Sequence, residues 1–220
     1  MQGERLSCRS LNFPRGSVLG PLVVAGISIR ESRIGELSRL GVRDSKSLSP
    51  SRRTALNKRL RGIGAKIALA KVQPSEIDKA VLKGERYRKL NFLEAKAMAK
   101  VITKLRPNIA YVDASDVSCE RFETQIQEEL GFRLPIVSEH KADITYPIVS
   151  AASILAKVER DRCMRSICRR WGDAGTGYPS DHRTVTFLNE MVRSGDKLPG
   201  FVRKSWKTCR RILASQEVEV

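Results

Sequence analysis

Apolar positions along the chain follow two spacings, one of strands and one of helices. Residues 18–29 are rich in Val, Leu and Ile and predict a buried strand, or two strands turned at Gly20-Pro21. Residues 66–72 alternate and predict another strand, and residues 109–112, ending in Asp113, and 135–137 predict two short ones. Between positions 90 and 105 the apolar side chains Leu90, Leu93, Ala97, Val101 and Leu105 recur every three or four residues, which is helical, and Pro107 ends the run. A turn at 43–50 leads into a basic helix at 51–61, with Ser49 or Ser51 as its cap.

Residues 148–171 predict a long helix. Its first half is small and apolar (Val149, Ala151, Ala152, Ile154, Leu155, Ala156) and its second half is basic. A glycine-rich loop at 172–180 precedes helices at about 181–193 and 205–215. Strands alternating with helices, followed by helices alone, argue for an α/β core with a helical tail. The expected division is a core over residues 1–180 and a helical extension, 181–220, packed on it.

Composition narrows the function. A chain of 220 residues suits one medium domain, and 41% hydrophobic against 30% charged residues is too apolar for a disordered basic tail. The 41 Lys and Arg against 24 Asp and Glu leave a net charge of +17, which points to a polyanion: nucleic acid first, an anionic membrane surface second. Two blocks hold no acid at all. One, between Ser45 and Ser75, carries eight basic residues, and the other, between Lys197 and Ser215, carries six. A single such block reads equally well as a solvated face, but two favour a surface that follows phosphates.

No membrane role is expected. The apolar run at 18–29 is twelve residues long and contains Gly20, Pro21, Gly26 and Ser28, so it cannot span a bilayer as a helix. Behind Arg5, Arg9 and Arg15 it imitates a secretory signal, but the Gly-Pro interruption and the missing small-x-small cleavage site argue against one. Five cysteines (Cys8, Cys119, Cys163, Cys168, Cys209) show no paired spacing, and His140 and His182 are not placed to complete a zinc site. Reduced thiols in a cytoplasmic protein are expected.

Among the basic residues, Asp113 and Asp143 stand where strands should end. Such carboxylates can hold Mg²⁺ or Mn²⁺, hard ions that take oxygen ligands and can serve phosphodiester hydrolysis. The alternative is structural: Asp113 starts a turn with Asp116, and Asp143 caps the long helix. Spacing alone favours that alternative.

The strings Arg15-Gly16-Ser17-Val18-Leu19-Gly20-Pro21-Leu22-Val23-Val24-Ala25-Gly26, Asp44-Ser45-Lys46, Tyr111-Val112-Asp113-Ala114, Glu139-His140-Lys141-Ala142-Asp143, Ser150-Ala151-Ala152-Ser153-Ile154-Leu155-Ala156-Lys157-Val158 and Gly175-Thr176-Gly177-Tyr178-Pro179-Ser180-Asp181 occur in this order. Together they resemble ribonuclease HII, the type 2 ribonuclease H family, with an archaeal character in the C-terminal third. The resemblance implies a ribonuclease H-like fold: a five-stranded mixed sheet flanked by helices, with a helical C-terminal part. It further implies two-metal hydrolysis of the RNA strand of RNA–DNA hybrids, and at single ribonucleotides in duplex DNA, leaving 5′-phosphate and 3′-hydroxyl ends.

By the same resemblance, Asp113 and Asp143 match two of four metal-binding carboxylates. Tyr178 matches a tyrosine that recognises the ribose, and Arg15 and Gly16 match a loop that senses the 2′-hydroxyl. Lys46 matches a substrate-contacting lysine, and Lys157 and Arg160 fall on a helix that would face the duplex.

The sequence departs from that family at its start. The register set by Arg15-Gly16 puts Leu11 and Asn12 where the other two carboxylates belong, and Phe13 and Pro14 where Ala-Gly belong. Two of four anionic ligands are lost, so weak metal binding and slow or absent cleavage are expected. Residues 1–12 also lack the apolar pattern of a central strand. So sharp a boundary reads as a replaced N-terminal segment over residues 1–14, and otherwise as a paralogue that binds hybrids without cutting them. The C-terminal Gln216-Glu217-Val218-Glu219-Val220 has no aromatic pair, so no sliding-clamp tether is expected, and a monomer is the default.

Overall fold

The computed structural model describes residues 4–10, 16–42, 48–83, 89–195 and 197–217, with positions 4–10, 83, 89, 216 and 217 described by backbone alone. Five strands, β1 (Glu4–Ser10), β2 (Leu22–Arg30), β3 (Lys66–Val72), β4 (Ile109–Asp113) and β5 (Ile136–Glu139), form one sheet in the order β3-β2-β1-β4-β5. It is mixed: β1 runs antiparallel to β2 and parallel to β4, which runs parallel to β5.

The central strand is the one the side-chain pattern does not predict. Glu-Arg-Leu-Ser-Cys-Arg-Ser has no apolar alternation, yet β1 pairs along its length with β2, from Glu4 opposite Arg30 to Ser10 opposite Val24, and with β4 from Arg5 to Cys8. Backbone pairing on both edges satisfies its N–H and C=O groups whatever its side chains are.

The other strands form where expected. Nearly all of β2 is buried, as the unbroken apolar run requires, and only Arg30 is exposed. Ahead of it Gly20 adopts φ +81 and turns the chain, so Leu19 makes a separate antiparallel bridge with Val202. The helices are α1 (Ile34–Arg39), α2 (Pro50–Gly62), α3 (Pro74–Lys83), α4 (Lys89–Leu105), α5 (Cys119–Glu129), α6 (Ala142–Thr145), α7 (Pro147–Trp171), α8 (His182–Arg193) and α9 (Lys207–Glu217). Ser49 caps α2 by accepting from the Arg52 N–H, with Pro50 in the first turn.

The described residues group into two compact units. The first takes its residues from 1–12, 23–71 and 91–159. Its core joins Val23, Ala25, Ile27 and Ile29, every second residue of β2 and hence one face, to Leu56 and Leu60 of α2 and to positions 148–156 of α7. The second takes 13–22, 72–90 and 160–220. Its core is built from Val18, Leu19, Met164, Phe187, Leu188, Val202 and Ile212. There the Asp78 carboxylate of α3 accepts from the backbone N–H groups of Lys204 and Ser205 at 3.0 and 2.9 Å, fixing the approach to α9. Among the described residues no helix is long and apolar enough to cross a membrane.

Candidate active site

The described residues expected to carry the chemistry lie in two groups, one in each unit. In the first, β4 ends in Asp113, which is 2% exposed. Next to it β5 ends in Glu139, the register partner of Asp113, and the chain then turns through Lys141 at φ 57. That left-handed residue costs roughly 1–2 kcal/mol. It reverses the chain so that the Ala142 N–H donates to Asp113 Oδ1 at 3.0 Å, and Asp143 follows at 3% exposure. The carboxylate that ends β4 is therefore fixed to the residue directly ahead of Asp143.

Asp143 lies in the first turn of the short α6, ahead of the long helix, and Asp113 is the last residue of β4. Asp116 holds the turn that follows. Its carboxylate accepts from the Ser118 N–H at 3.1 Å, from Asn91 Nδ2 at 2.6 Å and from Arg121. Burial pushes its carboxyl up, but those hydrogen bonds outweigh burial and hold it below the ordinary range. Tyr146 supports the same region: its hydroxyl donates to Glu139 Oε1 at 2.8 Å and its ring lies 4.7 Å from that of Tyr111.

The acid pair suits a hard divalent cation in ligand type and falls short in ligand number. Among the described residues no group of three or more His, Cys, Asp or Glu is placed to hold a metal. Leu11, Asn12, Arg15 and Lys46 lie outside the described residues.

In the second unit, Tyr178 is half-buried on the loop ahead of α8. The Thr176 N–H donates to Asp181 Oδ2 at 2.7 Å, and Asp181 also caps α8 through the Arg183 N–H at 3.1 Å. The Thr176 backbone bond is the main cause that holds the Asp181 carboxyl down at about 2; burial opposes it and Arg183 adds to it. The Gly177 N–H donates to Thr184 Oγ1 at 2.9 Å, while the Ser17 hydroxyl and the Val18 N–H donate to the Gly177 carbonyl, each at 2.9 Å. A side chain at Gly177 is disfavoured on two counts: its φ is +81, and a Cβ there would meet Met164 Sδ at 2.9 Å.

Gly16 is brought beside the tyrosine, since a Cβ on it would lie 3.9 Å from Tyr178 Cδ1. Arg160 of α7 is 8% exposed, with its guanidinium carbon 4.4 Å from the Tyr178 ring centroid. Lys157 is half-buried in the first unit. Sequence reading missed Asp181, Thr184 and Ser17 as supports of this loop. An Asp directly ahead of a helix is a cap signal and could have found the first of them.

A family model described as Ribonuclease HII matches residues 14–209. The ribonuclease HII of Thermococcus kodakarensis is 41% identical over 207 residues, covering 93% of this chain and 88% of that protein. The crystal structure of the ribonuclease H2 from Pyrococcus horikoshii OT3 superposes with a TM-score of 0.87 at 37% identity, covering 97% and 99% of the two chains. The Archaeoglobus fulgidus ribonuclease HII, solved in a complex with PCNA, gives 0.82 at 40% identity over 94% and 96%. The expectation that this chain lacks a clamp tether concerns positions 216–220, whose side chains lie outside the described residues. Family match, sequence identity and structural likeness agree: the chain belongs to the ribonuclease HII family of hydrolytic nucleases.

Proposed function

We propose that this protein recognises RNA–DNA hybrids, and duplex DNA carrying single ribonucleotides, and that its reaction is endonucleolytic hydrolysis at the ribonucleotide with 5′-phosphate and 3′-hydroxyl products. The observation that carries this reading is that Asp113 and Asp143 are both buried, with Asp113 fixed by the Ala142 N–H directly ahead of Asp143, in a chain of this family. Asp113 and Asp143 are the residues that would hold Mg²⁺ or Mn²⁺. Such ions, in a full carboxylate cage, activate water and stabilise the leaving oxygen. Two carboxylates make half of that cage, so the chain as it stands is expected to cut slowly.

Tyr178, with Gly16 beside it, supplies the contact to the sugar: an aromatic face for the ring and a close backbone for the 2′-hydroxyl. The net charge of +17 supplies affinity for the phosphates. The protein acts as a monomer in the cytoplasm, which suits the free thiols of Cys119, Cys163, Cys168 and Cys209.

A second reading, a hybrid binder that does not cut, is favoured by one specific observation, Leu11 and Asn12 at the two remaining ligand positions. Binding and cleavage measured together separate the readings, with a duplex carrying one ribonucleotide and its all-DNA counterpart under Mg²⁺ and Mn²⁺. Preferred binding of the ribonucleotide duplex with slow, cation-dependent cleavage supports the enzyme, and preferred binding without cleavage supports the binder. Equal binding of both duplexes without cleavage rejects both.

A further inference from the structure

We propose that Arg160 is a positioning residue that sets the orientation of the Tyr178 ring, and that it does not contact the duplex phosphates. This rests on reading Tyr178 as the group that meets the sugar.

An arginine that follows a nucleic acid backbone must present its guanidinium fork to solvent. The Arg160 side chain is only 9% exposed, and each of its Nη atoms is paired within the protein. Nη2 donates to the carbonyl of Thr176, two residues ahead of the tyrosine. Nη1 lies 3.1 Å from Asp161 Oδ1, and Nε is buried with no hydrogen-bond partner. The guanidinium carbon, at 4.4 Å from the ring centroid, is well inside the roughly 6 Å range of cation–π attraction. One planar group therefore holds the loop backbone and the ring together. A lysine ammonium keeps the charge but lacks the planar fork that does both at once.

The next turn of α7 supports this arrangement. Met164, four residues on and so on the same helix face, closes over Gly177, where an added Cβ would fall 2.9 Å from its Sδ. Residues 160 and 164 thus grip residues 176–178 from one helix face, while Thr184 and Ser17 hold the Gly177 backbone. Those two bonds hold the Gly177 main chain without Arg160, whereas Arg160 holds the Thr176 carbonyl and covers the ring face, so its loss is expected to loosen the pose of the ring more than the path of the loop.

The test uses the full chain and its R160A, R160K, Y178A and R160A/Y178A variants. Binding is measured by anisotropy over a range of salt concentrations, with a duplex carrying one ribonucleotide and with the all-DNA duplex. R160A is expected to cut the preference for the ribonucleotide duplex by roughly three- to tenfold. Affinity for the DNA duplex and its salt dependence should stay unchanged, R160K should restore part of the preference, and the double variant should match Y178A. Equal loss on both duplexes with a salt slope shallower by about one would make Arg160 a phosphate contact and overturn the proposal. Additive losses in the double variant would overturn it too.

If Y178A leaves the preference intact, the reading of Tyr178 fails on its own. The positioning role is then decided by NMR of the Tyr178 ring without nucleic acid. Changed ring NOE contacts in R160A, with the amides of α7 beyond the turns next to position 160 unmoved, support it, and unchanged ring contacts reject it. A thermal melt and the R160K arm guard against simple unfolding.

Discussion

The Ala142 N–H donates to Asp113 Oδ1 at 3.0 Å, so the acid that ends β4 is fixed to the residue directly ahead of Asp143. Ala142 is fully buried, and its N–H has no access to water if the acceptor is removed. Asp113→Ala should cost about 1–3 kcal/mol of stability, the range for a buried donor left unsatisfied. Asp113→Asn keeps an oxygen for Ala142 and should stay within about 1 kcal/mol of the parent while losing its contribution to cation binding. Denaturant unfolding read beside Mn²⁺ calorimetry checks both, and equal stability of the two variants would reject the assigned bond.

Asp181 predicts an acid limb in stability. Its carboxyl is held at about 2 in the fold against an ordinary 3.8, chiefly by the Thr176 N–H. A carboxyl depressed on folding stabilises the protein above its unfolded pKa. That contribution is lost as pH falls from about 4 through 2. Asp181→Asn can still cap α8, so it should lower stability at neutral pH and flatten the curve in that window. Unfolding curves between pH 2 and 7 that stay parallel for the two proteins would contradict the assignment.

Glycines of the loops separate by their surroundings. Gly177→Ala forces a side chain into φ +81 and into contact with Met164, and should destabilise the fold by about 2 kcal/mol or more. Gly200 has open space around it and no positive φ, so Gly200→Ala should fall within about 0.5 kcal/mol of the parent. Thermal melts of the two variants check the contrast.

The fold was legible wherever period and punctuation agreed. β3 and β4 follow from short apolar runs, α4 from its spacing of three and four before Pro107, and α2 from Ser49-Pro50. β1 was not legible, because its stability lies in backbone pairing to two neighbours and leaves no mark on residues such as Glu4, Arg5 and Ser7. α3 and α5 also went unread. In α5 the cap at Ser118 and the buried pair Phe122 and Ile126, four apart, were a usable signal.

In the candidate site, Asp113, Asp143 and Tyr178 were legible through their flanking strings. The left-handed turn at Lys141 was not, since no glycine or asparagine marks it. Nor was the grip of Arg160 on Tyr178, because an arginine on a basic helix reads as a solvent-facing charge until its burial is known.

On the proposed reading, the chain keeps the recognition elements of a ribonuclease HII while Leu11 and Asn12 limit its chemistry. The most direct measurement is cleavage of a duplex carrying one ribonucleotide, with Mg²⁺ or Mn²⁺, by the parent and by the folded Leu11→Asp/Asn12→Glu variant. The parent should cut slowly or not at all, and the variant should gain on the order of a hundredfold or more, since each restored carboxylate is a direct ligand. A folded variant that stays inert, or a parent that already cuts as fast as the variant, would show that positions 11 and 12 are not what limits cleavage.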